Sequence, residues 1–215
     1  MAQRHYAFAV LPGDGIGPEV VAQGIKVLDR VAKLEGFTYE TTRYPFGAEH
    51  YLKTRETLPE SVLAEVKGMN AILLGAIGDP RVEVGFLERA IISGLRFGLD
   101  LYVNLRPVKL YAEHLCPLKD KTPEDVDMVF VRENTEDVYT GLGGIFKKGT
   151  ADEVAIQEMI FTRKGTERVI RYAFDLARKR GKQKKLLMID KANAIRAMDL
   201  WTRTFEEVGA DYPDI

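Results

Sequence analysis

Short apolar runs alternate with stretches of helical periodicity along the first half of the chain, and this alternation constrains the fold more than any other feature. Residues 6–10, 70–75 and 99–105 are apolar runs of strand length, and 37–44 alternates with period two. Residues 19–34, 60–67 and 86–95 repeat with helical spacing, and Pro18 suits a first helical position. Strand and helix taken in turn predict an α/β fold with mostly parallel pairing, because parallel neighbours need a crossover between them.

The character of the chain changes after Arg106. Residues 107–123 mix prolines with charges and read as a connecting region, and 126–131 is again a buried strand. The glycines at 140–144 and the alternation over 154–161 predict an exposed β-arm suited to clasping a second subunit. A helix with a basic end is expected over 164–180, a strand over 186–189, and a helix over 195–208 with Gly209 as its stop. The break predicts two lobes, residues 1–106 and 107–215.

Bulk properties exclude several classes of function. A net charge of −1 supplies no basic surplus for nucleic acid or anionic membrane. No apolar stretch has the length to span a bilayer, and the first apolar run is too short for a signal peptide. The lone Cys116 has no partner for an internal disulfide, which points to a reducing, cytoplasmic setting. His5, His50 and His114 lack metal-ligand spacing and read as structural or surface residues.

Four cations follow apolar or helical runs: Arg96, Arg106, Arg132 and Lys191. Ligand crevices of open α/β sheets lie outside the carboxyl ends of strands. Cations gathered there would take a small polycarboxylate, with Arg gripping carboxylate through paired hydrogen bonds and a buried Lys free to act as base. Singly, each arginine would be a surface ion pair, Lys191 a solvated side chain with Asp190 as a local ion-pair partner, and Tyr139 a packing aromatic. The turn Gly13-Asp14-Gly15-Ile16-Gly17 lacks both the dinucleotide glycine spacing and the Lys-Ser/Thr of a phosphate loop. It reads as a tight strand-to-helix turn, whose glycine backbone at a helix start could still approach a phosphate.

Five stretches, in order, carry a family resemblance. They are Leu11-Pro12-Gly13-Asp14-Gly15-Ile16-Gly17-Pro18-Glu19-Val20, Leu73-Leu74-Gly75-Ala76-Ile77-Gly78, and Asp100-Leu101-Tyr102-Val103-Asn104-Leu105-Arg106-Pro107. Val131-Arg132-Glu133-Asn134-Thr135-Glu136 and Asp190-Lys191-Ala192-Asn193 complete the set. Together they resemble the decarboxylating β-hydroxyacid dehydrogenases, the family of isopropylmalate, isocitrate, homoisocitrate and tartrate dehydrogenases. The resemblance implies a two-lobed fold and hydride transfer from C2 of a 2-hydroxy acid to NAD or NADP. It implies Mg²⁺ or Mn²⁺ on the C2 oxygen, then loss of CO₂. By match, Lys191 takes the hydroxyl proton and Tyr139 helps protonate the enolate. Arg96, Arg106 and Arg132 hold carboxylates, and Asn193 orients substrate or cofactor. Gly75, Ala76, Ile77, Gly78 and Arg89 lie along the nicotinamide side. The family's metal-ligating aspartates would follow Ile215, so no metal ligand is expected within these residues. The 215 residues alone are expected to be inactive, and a homodimer is implied because a second subunit completes the site.

The substrate's variable arm should meet the residues before Arg96. Isocitrate enzymes place serine and asparagine six and four positions before that arginine; here Ala90 and Ile92 stand there, with Ile91 between them. An isopropyl arm gains by burial against these, whereas a third carboxylate would go unpaired. NAD-dependent oxidation of 3-isopropylmalate, a step of leucine biosynthesis, is therefore favoured. Arg89 keeps homoisocitrate open, and Arg132-Glu133-Asn134-Thr135-Glu136 is worded more like isocitrate and tartrate relatives. Asp137 departs from the glycine usual after that glutamate. A non-catalytic partner subunit is the alternative of another class, and retention of the five cleft residues argues against it.

Overall fold

Three parallel strands, β1 (Arg4–Leu11), β2 (Phe37–Arg43) and β3 (Ala71–Leu74), form one sheet with β1 in the middle. The computed structural model describes residues 4–215. The strand β1 grows more buried along its length, ending in the fully covered Ala9, Val10 and Leu11. Helix α1 (Gly17–Glu35) makes the first crossover. Pro18 opens it and Gly36, at φ 65°, closes it in the left-handed conformation glycine adopts cheaply. Helices α2 (Ala48–Thr54) and α3 (Glu60–Lys67) make the second crossover. Leu11, Tyr44, Phe46, Ala48, Val66, Leu87, Ile91 and Leu95 form the core of this unit, which runs to Asp100.

The helix expected over 86–95 is present but irregular. Glu88–Ser93 is π-helical, and a short α-helix, α4 (Gly94–Gly98), completes it. Leu87, Ile91 and Leu95 all point into the core. In a pure α-helix each four-residue step overshoots a full turn by about 40°. The wider π-turn takes up that drift and keeps all three on one line. Ile91 is thereby fully buried and unavailable to a ligand, contrary to the expectation that it faces the substrate arm; Ile92 remains partly exposed.

A second unit begins at Leu101, six residues before its expected start at Pro107. The difference follows from strand position. Leu99 and Asp100 belong to the turn that ends the helix, and β4 (Val103–Lys109) runs through Arg106 and Pro107. It pairs antiparallel with β5 (Asp127–Glu133). Both strands of such a ribbon are edges, so Pro107 can sit in one without breaking a sheet. Among the described residues parallel pairing is thus confined to the first unit, within the α/β fold expected. Strands β6 (Gly143–Phe146) and β7 (Val154–Gln157) form an exposed hairpin, the arm anticipated from the alternation.

Helix α5 (Arg163–Arg180) is capped by Thr162, whose side chain accepts from Gly165 N–H, and it packs on α6 (Asp199–Gly209). Ile170, Phe174, Val208 and Tyr212 form the core between them. The one-turn helix Arg196–Met198 precedes α6, and α6 runs through Gly209 to a cap at Ala210 rather than stopping at the glycine. The expected strand over 186–189 does not form. None of the described strands pairs with this run, and Leu187 and Ile189 are 71% and 74% exposed. An apolar run becomes a strand only where a neighbour takes its backbone hydrogen bonds.

Candidate functional site

In the first unit the site residues lie on the loop after β3. Gly13, Gly17 and Gly75 are packed backbone to backbone. A Cβ on Gly13 would come 2.9 Å from the Ala76 carbonyl carbon, and one on Gly75 2.8 Å from that of Pro12. The glycine turn is therefore a packing device rather than an open phosphate cradle. Asp14, buried among these glycines, ties the region together. Its Oδ1 accepts from Ala48 N–H at 2.6 Å and its Oδ2 from Gly78 N–H at 3.0 Å. Its own N–H donates to Ala76 O at 2.6 Å. Gly75 N–H is likewise taken, by Leu11 O at 2.8 Å. With those donors spent, the loop can offer a wall to a flat ring, and its Gly75 and Gly78 amides do not fit a phosphate. Glu88 on the π-turn lies against Gly78, and Arg89, which is exposed, lies over Gly85. Arg96 stands on α4.

Beyond Gly78, Arg81 grips Asp79 through Nε at 2.9 Å and Nη2 at 2.8 Å, and reaches Glu49 on α2 at 2.6 Å. The Arg81 side chain, with its backbone N–H, holds the Asp79 carboxyl down at about 2. Because the folded value lies below the usual one of about 4, this pair contributes fully above pH ~4 and is lost as pH falls through about 2. A carboxyl-carbon NMR titration should show the Asp79 midpoint near 2, moving up toward the ordinary value in Arg81→Ala. An ordinary midpoint in the unmodified protein would show the clamp to be open.

In the second unit Arg106 and Arg132 come together on the ribbon, though not past strand ends as the apolar runs suggested. Arg106 is mid-strand on β4 and Arg132 is the penultimate residue of β5. Asn104 pairs with Arg132, and Arg106 with Phe130. Opposed residues share a face and so do residues two apart, so both guanidiniums rise from the same face as a diagonal pair. A relay of three amide contacts orients Arg106. Arg106 Nε donates to Asn104 Oδ1 at 3.1 Å, and Asn104 Nδ2 to Asn134 Oδ1 at 3.2 Å. Asn134, buried, donates to Leu101 O at 3.0 Å. The Arg132 guanidinium stacks over the Tyr139 ring at 4.6 Å, while Tyr139 remains half exposed. Two forks on one face, with a phenol beneath one of them, can bind a polycarboxylate and deliver a proton beside it.

Lys191 and Asn193 are both exposed, on the loop before α6. An open depression of about 430 Å³ is lined by Ala192, Asn193, Ala194, Arg196 and Asp199. Asp190, read from sequence as an ion-pair partner of Lys191, instead accepts from Ala192 N–H at 3.0 Å and Thr202 Oγ1 at 3.2 Å, fastening the loop to α6. Among the described residues no group of three or more His, Cys, Asp or Glu could hold a metal ion, so these residues do not by themselves fit the divalent metal of the resemblance. The sequence reading missed Asp14, Asn104 and Asn134. The first lay inside a motif taken for its glycines, and the other two beside arginines that drew the attention.

The isocitrate/isopropylmalate dehydrogenase family profile matches residues 7–215. A 3-isopropylmalate dehydrogenase of Thermobifida fusca is 50% identical over the whole chain, and one of Frankia casuarinae 49% over 96% of it. The chain spans 61% and 59% of the length of these two relatives. Among solved structures, the isocitrate dehydrogenase of Methylococcus capsulatus superposes with a TM-score of 0.81 at 31% identity, over 98% of this chain and 58% of that one. A β-decarboxylating dehydrogenase of Thermococcus kodakarensis gives 0.67 at 30% identity, over 96% of this chain and 55% of that one. On this profile match and these likenesses, the chain belongs to the isocitrate/isopropylmalate dehydrogenase family.

Proposed function

We propose that this chain carries the substrate-holding and proton-transfer residues of an NAD-dependent 3-isopropylmalate dehydrogenase, and so serves leucine biosynthesis. The observation that carries the reading is the diagonal placement of Arg106 and Arg132 on one ribbon face with Tyr139 stacked under Arg132. Arg106, Arg132 and Arg96 hold the two carboxylates, Lys191 takes the C2 hydroxyl proton, and Tyr139 returns a proton after CO₂ departs. NAD, when bound, would supply the hydride acceptor; Gly75–Gly78 and Arg89 would line its nicotinamide side, and Asn193 would orient the reactants. The described residues do not by themselves supply a ligand set for the divalent metal. Partly exposed Ile92 meets the isopropyl arm. The hairpin β6–β7 exposes Ile145, Phe146, Val154 and Ile156, an apolar arm for a second copy of the chain, which makes a homodimer the working assembly. Among the described residues no helix is long and apolar enough to cross a membrane, and we place the enzyme in the cytoplasm.

The test is an enzyme of the relatives' full length built on this sequence. It is assayed with 3-isopropylmalate, isocitrate, homoisocitrate, malate and tartrate, each with NAD and NADP and with Mg²⁺ or Mn²⁺. 3-Isopropylmalate with NAD should exceed every other pair by about tenfold or more in kcat/KM, the scale on which apolar pockets discriminate. Turnover of isocitrate without 3-isopropylmalate would discard the substrate and leave the family standing.

A further inference from the structure

Asp137 occupies a backbone conformation that L residues rarely adopt, with φ 67° and ψ −147°. This is territory that glycine holds almost alone, and other residues persist there only where the surroundings over-determine them. Here they do. Asp137 N–H donates to Ile160 O at 2.9 Å, and Gln157 Nε2 donates to Val138 O at 2.6 Å. The side chain adds a bond that glycine lacks: Asp137 Oδ1 accepts from Val138 N–H at 2.8 Å and caps the single helical turn Val138–Thr140. Thr140 Oγ1 closes the other end on Asp137 O at 3.3 Å. Tyr139 sits in the middle of that turn, under the Arg132 guanidinium at 4.6 Å.

We infer that Asp137 is a positioning residue. It holds a strained backbone so that its carboxylate can lock the Tyr139 turn against Arg132 before any ligand arrives. A glycine would relieve the strain and release the turn. The inference rests on the reading above only for the role of Tyr139; the stacking and the strain belong to this chain alone.

The experiment uses the 215-residue chain and four variants: Asp137→Asn, Asp137→Gly, Asp137→Ala and the reference Tyr139→Leu. NMR follows the ring-current displacement of the Arg132 side-chain protons, and thermal melting follows stability. Asparagine keeps an oxygen for Val138 N–H and should keep the displacement. Glycine and alanine should both lose it, moving to the Tyr139→Leu value. Both lack the cap, but only alanine keeps a Cβ in the strained conformation, so Asp137→Gly should melt above Asp137→Ala. Retention of the displacement in Asp137→Gly, its loss in Asp137→Asn, or equal melting of the glycine and alanine variants each overturns the inference. Full turnover by Tyr139→Phe in the full-length enzyme would instead overturn the functional reading and leave the positioning result untouched.

Discussion

Gly75→Ala is expected to destabilise the first unit by about 3 kcal/mol or more, the upper end for overpacking. The added methyl would fall within the contact radius of the Pro12 carbonyl oxygen, 2.8 Å from its carbon and 3.1 Å from Val21 Cγ2. The first two are backbone at the end of the central strand and cannot swing aside. Relief means parting the end of β1 from β3, where Gly75 N–H is also bonded to Leu11 O. The consequences reach the site, because the same contact fixes the loop that continues through Ala76 and Gly78 to Asp14. Two other glycines calibrate the effect. Gly15 has φ 54° and open space around its Cβ, so Gly15→Ala should cost about 1 kcal/mol of conformational strain alone. Gly144 has neither a positive φ nor a neighbour within 4 Å, and its alanine variant should be close to neutral. Urea unfolding of the three variants checks the order. Equal stability of Gly75→Ala and Gly15→Ala would mean that the loop does not pack on the turn as described.

The contrast among these glycines shows what could be read in advance. The glycine turn was legible as a tight connection, since Gly-rich residues after an apolar run and before Pro18 have few other structural meanings. Its purpose was not, because the carbonyl of Pro12 and the loop at Gly75 are far apart in sequence and only the parallel pairing of β1 with β3 brings them together. Strands β1 and β3 and helices α1 and α3 were predictable because their periodicity is local. The stretch 186–189 failed for the complementary reason: its apolarity is local, but a strand is a property of two chain segments. Arg106 was singled out but misplaced, since the apolar run before it suggested a strand end while the ribbon continues through Pro107. The π-turn left no mark in composition. The departure at Asp137 was visible as a residue where the family usually has glycine, and the backbone there retains the glycine-like conformation.

Lys191→Met in a full-length enzyme should lower turnover by about 10²- to 10⁴-fold, the usual contribution of a positioned general base. The loop predisposes Lys191 to such a role. Its carbonyl accepts from Ala194 N–H at 2.9 Å and Ile195 N–H at 2.8 Å, and its N–H reaches Met198 Sδ at 3.2 Å. The preceding residue, Asp190, is tied to α6 by accepting from Thr202 Oγ1. The backbone is thus held on both sides while the side chain stands clear in solvent, so replacing it should leave stability within ~0.5 kcal/mol, as for exposed positions generally. Lys191→Arg separates the two things a lysine can supply. Arginine keeps the charge but does not give up its proton in any accessible pH range. If the amine serves as base, the arginine variant should be as slow as the methionine variant while retaining more of the substrate affinity. If arginine restores turnover, Lys191 acts through its charge alone, and the group that removes the C2 hydroxyl proton must be sought elsewhere.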